Sequence, residues 1–122
     1  MKIKGYTLHG DYYLADEVIP NKTWKEACKM KEEITLPNGK KVLAHILSKE
    51  ELETIPQEER GISENGHWWY WTRTPSPDVD DDAWTVYDDG SFYNGGVTDS
   101  IGIINGSDLG GARLGFKNPF LN

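Results

Sequence analysis

The stretch "WWYWTRTPSPDVDDDAWTVYDDGSFYNGG", residues 68–96, contains four of the chain's five tryptophans and six aspartates. Aromatic and β-branched residues alternate here with Gly, Asp and Asn, which favours β-strands joined by turns. Tryptophans give a small core a large buried area, whereas the aspartates are too polar to pack. The stretch therefore predicts an antiparallel sheet with a tryptophan framework and an acidic connection between its strands.

The segment "AWTVYDDGSFYN", residues 83–94, is the clearest local signal in the chain. Two alternating runs meet at Asp89-Gly90, a dipeptide typical of two-residue hairpin turns. We expect Gly90 to have a positive φ, because glycine adopts that conformation without steric cost. The cross-strand pairs predicted from this turn are Tyr87–Phe92 and Val86–Tyr93.

Two capping patterns precede this region. "TWKEAC" places Glu26 three residues after Thr23, and "SKEELETI" places Glu51 three residues after Ser48, so each segment predicts the start of a short helix. Between them "VLAHIL" reads as a short buried strand, whereas "PQEERGISENGH" reads as a loop. Helices followed by strands indicate an α+β fold. The predicted core residues at periodic positions are Trp24, Trp71, Trp84, Val86 and Phe116.

Composition limits the class of protein. With 122 residues, 13 glycines and 37% hydrophobic residues, the chain fits one domain, residues 1–122. Its net charge of −7 argues against a nucleic-acid partner, because phosphate contacts need Lys and Arg. No apolar run is long enough to span a membrane and no signal peptide is recognised, so we expect a cytoplasmic or phage-associated protein without a membrane partner. The single cysteine, Cys28, excludes an internal disulfide.

The ordered set "TWKEAC", "HILSKEEL", "WWYWTRTPSP", "AWTVYDDGSFYNGG" and "ARLGFK" resembles the C-type-lectin-like fold in its disulfide-free bacterial and phage form. Within that group the chain is similar to an uncharacterised domain family with "LLS.EE", "W.RSP" and "A..V..DGS" segments in this order. The resemblance extends from about Thr23 to Lys117, although Thr74 replaces the usual Ser of "RSP". It implies two short helices packed on an antiparallel sheet, with binding through loops. Formylglycine-generating enzymes and retroelement-diversified variable proteins share the fold.

An enzymatic function is not expected. The three histidines, His9, His45 and His67, have neither the spacing nor the cysteine partners of a zinc site. His45 lies inside an apolar run and is interpreted as a core histidine with a satisfied hydrogen bond. The paired C-terminal cysteines of formylglycine-generating enzymes are missing, so their activity is not carried over. No catalytic residue, resident metal or cofactor is predicted.

A calcium-binding loop is a second hypothesis. Asp78, Asp80 and Asp82 alternate like oxygen ligands, and Asp89 follows Asp78 by the interval of an EF-hand loop. Ala83, however, stands where such a loop requires glycine, and the closing ligand is Asp instead of Glu. A solvated acidic loop is the simpler interpretation, and calcium or carbohydrate binding stays an alternative.

The remaining hypothesis is a non-enzymatic binding or accessory domain. An acidic loop on a rigid sheet can recognise a protein or a small ligand, and its charge accelerates association with a basic partner. Two variants of this idea are a phage-encoded inhibitor of a host protein and an inactive relative of the formylglycine-generating enzymes. The predicted binding residues are Asp78, Asp80, Asp81, Asp82, Tyr93, Asn94 and Asp99.

Overall fold

The structure, a computed structural model, describes residues 3–61, 69–77, 82–87, 89–96 and 110–120, with the backbone alone for residues 94–96. Ten strands and three short helices lie in these ranges. The strands are β1 Tyr6–His9, β2 Tyr12–Ala15, β3 Ile19–Lys22, β4 Glu32–Thr35, β5 Lys41–Ile46, β6 Tyr70–Pro75, β7 Asp82–Val86, β8 Phe92–Gly96, β9 Gly110–Ala112 and β10 Leu114–Lys117. The helices are α1 Trp24–Lys29, α2 Lys49–Glu53 and α3 Gln57–Arg60. The predicted α+β class is confirmed.

The strands form two five-stranded sheets. The first has the order β1-β2-β10-β5-β4 and the second the order β3-β9-β6-β7-β8. The described pairings are antiparallel except for β6 with β9, which are parallel. Strands β1 to β4 come from parts of the chain for which the sequence pattern predicts no strand. The expectation of two helices packed on an antiparallel sheet is therefore corrected, because the described residues form two sheets and three helices.

Both predicted capping boxes are confirmed. The Thr23 hydroxyl accepts from the Glu26 N–H at 3.3 Å, and the Glu26 carboxylate accepts from the Thr23 N–H at 2.9 Å. The corresponding distances for Ser48 and Glu51 in α2 are 3.1 and 2.9 Å. Each pair satisfies two N–H groups that a helix start leaves free. Helix α3 lies in a segment expected to be a loop.

The core consists of two clusters on opposite faces of the sheets. The first joins one face of both sheets to α1, and its buried members include Tyr13, Ala27, Ile46, Trp71, Ala83 and Phe116. The second packs α2 and the segment after it against the other faces, with Leu14, Leu47, Leu52, Ile55, Tyr70 and Val86. Of the predicted core residues, Trp71, Val86 and Phe116 are buried, and Trp24 is half-buried against the first cluster.

Trp84 is not a core residue as predicted, but half-buried. Trp71 lies opposite Thr85 in the β6–β7 ladder, so alternation turns Trp84 to the other face. There its ring lies under the Lys49 ammonium, 4.8 Å from the ring centroid. The strand register therefore places Trp71 and Trp84 on opposite faces of the sheet, which the spacing of the tryptophans alone does not reveal.

The hairpin exists, but its predicted register is wrong by one residue. The described pairs are Val86–Phe92 and Thr85–Tyr93. The Tyr87 N–H donates to the Ser91 carbonyl at 2.8 Å, so three residues, not two, separate the last paired positions. Gly90 has φ of +86°, as predicted. A glycine with positive φ is typical of the last position in a three-residue hairpin connection.

The C-terminal segment "GGARLGF" supplies two strands in different sheets. Strand β9 belongs to the second sheet and β10 to the first, and Arg113 lies between them. Its side chain is buried and donates from Nε to the Ala15 carbonyl at 2.8 Å and from Nη1 to the Arg60 carbonyl at 3.2 Å. Arg113 thus ties the passage between the sheets to β2 and to the end of α3.

Candidate functional site

The β7–β8 hairpin holds the described part of the predicted binding surface. Asp82 begins β7, is half-buried and pairs with Gly96, whereas Tyr93 in β8 is 51% exposed. The backbone of Asn94 pairs with Trp84. The remaining predicted residues, Asp78, Asp80, Asp81 and Asp99, lie outside the described residues.

Asp82 and Tyr93 lie on opposite faces of this hairpin. Asp82 shares its face with Trp84 and Val86, because side chains alternate along a strand. Tyr93 lies opposite Thr85 and therefore on the other face. The two predicted residues consequently do not form one continuous face.

Tyr93 stacks on Tyr87, a contact that the sequence pattern did not predict. Their ring centroids are 5.0 Å apart and the ring planes are inclined by 19°. Pairing Tyr87 with Phe92, as predicted, would have placed Tyr87 and Tyr93 on opposite faces, whereas the observed register places them on the same face. A three-residue turn, had it been predicted from the sequence, would have placed these two tyrosines on the same face.

Asp89 fixes a negative charge at the turn next to the tyrosine pair. Its Oδ1 accepts from the Ser91 N–H at 2.8 Å and from the Ser91 hydroxyl at 2.6 Å. These hydrogen bonds hold the pKa of Asp89 below its usual value. Burial raises the pKa of Tyr87, and the neighbouring Tyr93 and Asp89 add to the shift. An exposed aromatic ring and an ionised carboxylate thus lie at one end of the hairpin.

The other face of the hairpin carries cations that already have partners. The Lys49 ammonium lies 4.8 Å from the Trp84 centroid and 5.2 Å from the Phe92 centroid, and it pairs with Glu53 at 2.8 Å. The Arg60 guanidinium lies 4.3 Å from the Phe92 centroid and donates to the Gly90 carbonyl at 2.6 Å. These contacts fix the hairpin to α2 and α3, so it forms a rigid support.

A second polar cluster connects β5, β6 and α2. Arg73 contacts His45 Nδ1 from Nη1 at 2.7 Å and donates from Nη2 to the Glu51 carboxylate at 3.2 Å. Nδ1 can accept from Arg73 only when the His45 ring lacks a proton there. His45 is half-buried and has hydrogen-bonding partners, and Glu51 already serves as a helix cap. These contacts give the cluster a structural role, because they link β5, β6 and α2.

The described residues hold no group of three or more His, Cys, Asp or Glu side chains arranged for a metal ion. Three of the four aspartates at positions 78–82 fall outside those ranges, so the calcium hypothesis stays a prediction. Burial raises the pKa of the Cys28 thiol, although the nearby Arg73 acts in the opposite direction. In the described part of the chain, no helix has the length and apolar character needed to cross a membrane.

Comparison of the chain with protein-family models, with curated proteins and with solved structures gives no match.

Proposed function

We propose that this chain is a non-enzymatic binding domain that recognises a basic protein partner through the β7–β8 hairpin and the acidic connection before it. The observation that carries the proposal is the exposed Tyr93 ring, stacked on Tyr87 beside the ionised Asp89. Tyrosine is enriched at protein interfaces because it combines a large contact area with a polar end. A neighbouring carboxylate favours a partner with Lys or Arg.

The support beneath this surface is suited to recognition. Trp71 and Val86 are fully buried in the two core clusters, and Arg60 fastens the turn through Gly90. A hairpin fixed in this way loses little conformational entropy when a partner binds, which favours affinity. The net charge of −7 adds long-range attraction for a basic partner and accelerates encounter at low salt.

The same proposal includes the finer fold assignment, a C-type-lectin-like domain. It is supported by the ordered segments named above, which form α1, the start of α2, β6, the β7–β8 hairpin and β10 in that sequence. Binding through an exposed surface on a sheet is what the resemblance implies. The fold alone does not define the function, because one fold serves many functions.

A basic probe peptide tests the proposal. The probe is a fluorescently labelled peptide of alternating Lys and Val, and its affinity is measured against the native protein and a variant carrying Asp82→Asn, Asp89→Asn and Tyr93→Ala. We expect weaker binding in the variant, by about two- to fivefold for each charge, and a smaller difference at high salt because ions screen exposed charges. Asn keeps an oxygen that can accept from Ser91, so the turn is preserved.

The matched control carries Glu17→Gln and Glu33→Gln, which remove the same net charge from exposed positions elsewhere. Equal weakening in variant and control would show that the peptide responds to net charge and would overturn the site. No binding of the probe to the native protein at low salt would overturn the function.

A melting series addresses calcium separately. The variant with Asn at 78, 80, 81 and 82 is melted with calcium and with chelator, beside the native protein. A ligand that binds only the folded state raises the melting temperature. A calcium-dependent rise in the native protein that disappears in the variant would replace the present proposal with the calcium-binding alternative. Equal melting in both solutions supports a loop that acts through charge alone.

A further inference from the structure

We infer that the edge of β8 that pairs with no other described strand accepts an extended basic segment of the partner as an added β-strand. This inference rests on the proposed function and specifies how the partner binds. In the strand order of the second sheet, β8 occupies one end, and β7 is its neighbour among the described strands. Edge strands offer rows of backbone donors and acceptors to an incoming chain.

The register shows which backbone groups point away from β7. The Tyr87 N–H donates to the Ser91 carbonyl, so the Ser91 carbonyl points toward the strand that contains Tyr87. The direction of the backbone N–H and C=O groups alternates from residue to residue along an antiparallel ladder. The backbone groups of Tyr93, two residues after Ser91, therefore also point toward β7. The Thr85 hydroxyl donates to the Tyr93 carbonyl at 2.9 Å, in agreement with this assignment. Phe92, Asn94 and Gly96 therefore direct their N–H and C=O groups outward.

An added strand would contact both faces of the hairpin at once. Its side chains alternate between the two faces, as in any strand. On one face they meet Tyr93, and on the other they meet Phe92, with Asp82 one strand further in on that face.

The negative charge of the protein indicates which kind of segment binds at this edge. A second copy of this chain would bring another net charge of −7 to a strand whose turn carries Asp89, which opposes pairing between copies. A segment rich in Lys or Arg is attracted instead, and the aliphatic stem and cationic end of a lysine both suit the Tyr93 ring. The occupant is therefore an extended basic segment of another protein.

The protein-side test compares Asn94→Pro with Asn94→Ala. Proline removes the N–H that points outward at this position, and an edge strand tolerates proline where its N–H faces away from the ladder. With the alternating Lys–Val peptide as probe, we expect Asn94→Pro to bind about tenfold more weakly than Asn94→Ala, which removes the same side chain but keeps the N–H. Native-like binding by a folded Asn94→Pro protein would overturn strand addition.

A peptide-side test does not depend on how the proline variant folds. An analogue of the probe with every backbone amide N-methylated keeps all its charges but donates no backbone hydrogen bond. We expect it to bind the native protein about tenfold more weakly than the parent peptide. Equal binding of both peptides, weakened by the Asp82, Asp89 and Tyr93 substitutions, would overturn strand addition and leave the proposed function standing. Failure of both peptides to bind at low salt would overturn both.

Discussion

Gly90 in the hairpin lies so close to Gln57 in α3 that a β-carbon built on Gly90 would overlap the Gln57 carbonyl oxygen and lie 2.9 Å from its carbonyl carbon. Gly90 also has φ of +86°. The position therefore excludes a side chain for two reasons, one local and one set by the packing of the hairpin on the helix.

The first prediction separates these two reasons. Gly90→Ala should destabilise more than Gly39→Ala, because Gly39 has a similar φ of +88° but a β-carbon added there would meet nothing within 4 Å. The conformational cost alone is about 1–2 kcal/mol, so we expect that loss for Gly39→Ala and a larger one for Gly90→Ala. Urea denaturation measures both. Equal losses would contradict the close approach of hairpin and helix.

A second prediction compares two tryptophans from the same stretch. Trp71 is fully buried, so Trp71→Ala should cost about 3–5 kcal/mol of unfolding free energy. Trp84 is half-buried against the Lys49 side chain, so Trp84→Ala should cost less. The denaturant midpoints of the two variants show which substitution destabilises the protein more. A Trp84→Ala protein as unstable as Trp71→Ala would show that Trp84 belongs to the core.

Alkaline pH should weaken the fold through Tyr6 and Tyr70. Burial is the main cause that raises the pKa of both hydroxyls, and Tyr6 also donates to the Glu32 carboxylate at 2.6 Å. Above about pH 10 the unfolded chain releases protons that the folded chain retains, so unfolding free energy falls as pH rises.

Replacing both tyrosines with Phe removes this difference in proton binding. The decline in unfolding free energy between about pH 9 and about pH 11 should therefore be shallower in the double variant than in the native protein. Denaturation at a series of pH values gives the two slopes, and identical slopes would refute the assignment.

Arg113 provides the fourth prediction. Arg113→Met should cost about 1–3 kcal/mol, because it removes the side-chain donor to the Ala15 carbonyl in a buried setting. The Arg60 carbonyl keeps the Tyr70 hydroxyl as a donor at 2.5 Å. Arg73→Met, at an exposed arginine, is the control and should cost less. Similar melting temperatures for the two variants would show that Arg113 does not stabilise the passage between the sheets.

Short-range chemistry in the sequence was sufficient for several features. The capping boxes at Thr23 and Ser48 depend on residues three positions apart, and the positive φ of Gly90 follows from the hairpin composition. The α+β class and the burial of Trp71 and Val86 also agree with the pattern. Turn length is not determined by the local sequence, because Asp-Gly occurs in connections of two and of three residues. The two-residue turn predicted here therefore did not reveal the Tyr87–Tyr93 stack.

Sequence by itself therefore determined where α1 and α2 begin, that a hairpin turns near Asp89-Gly90 and that the chain is acidic, since each depends on composition or on neighbours along the chain. Tertiary structure alone decided that β9 and β10 enter different sheets and that Trp84 faces away from Trp71. The physical reason is the range of the contacts involved. Arg113 and Ala15 are 98 positions apart, and such partners are brought together by packing of the whole chain, which no local pattern encodes.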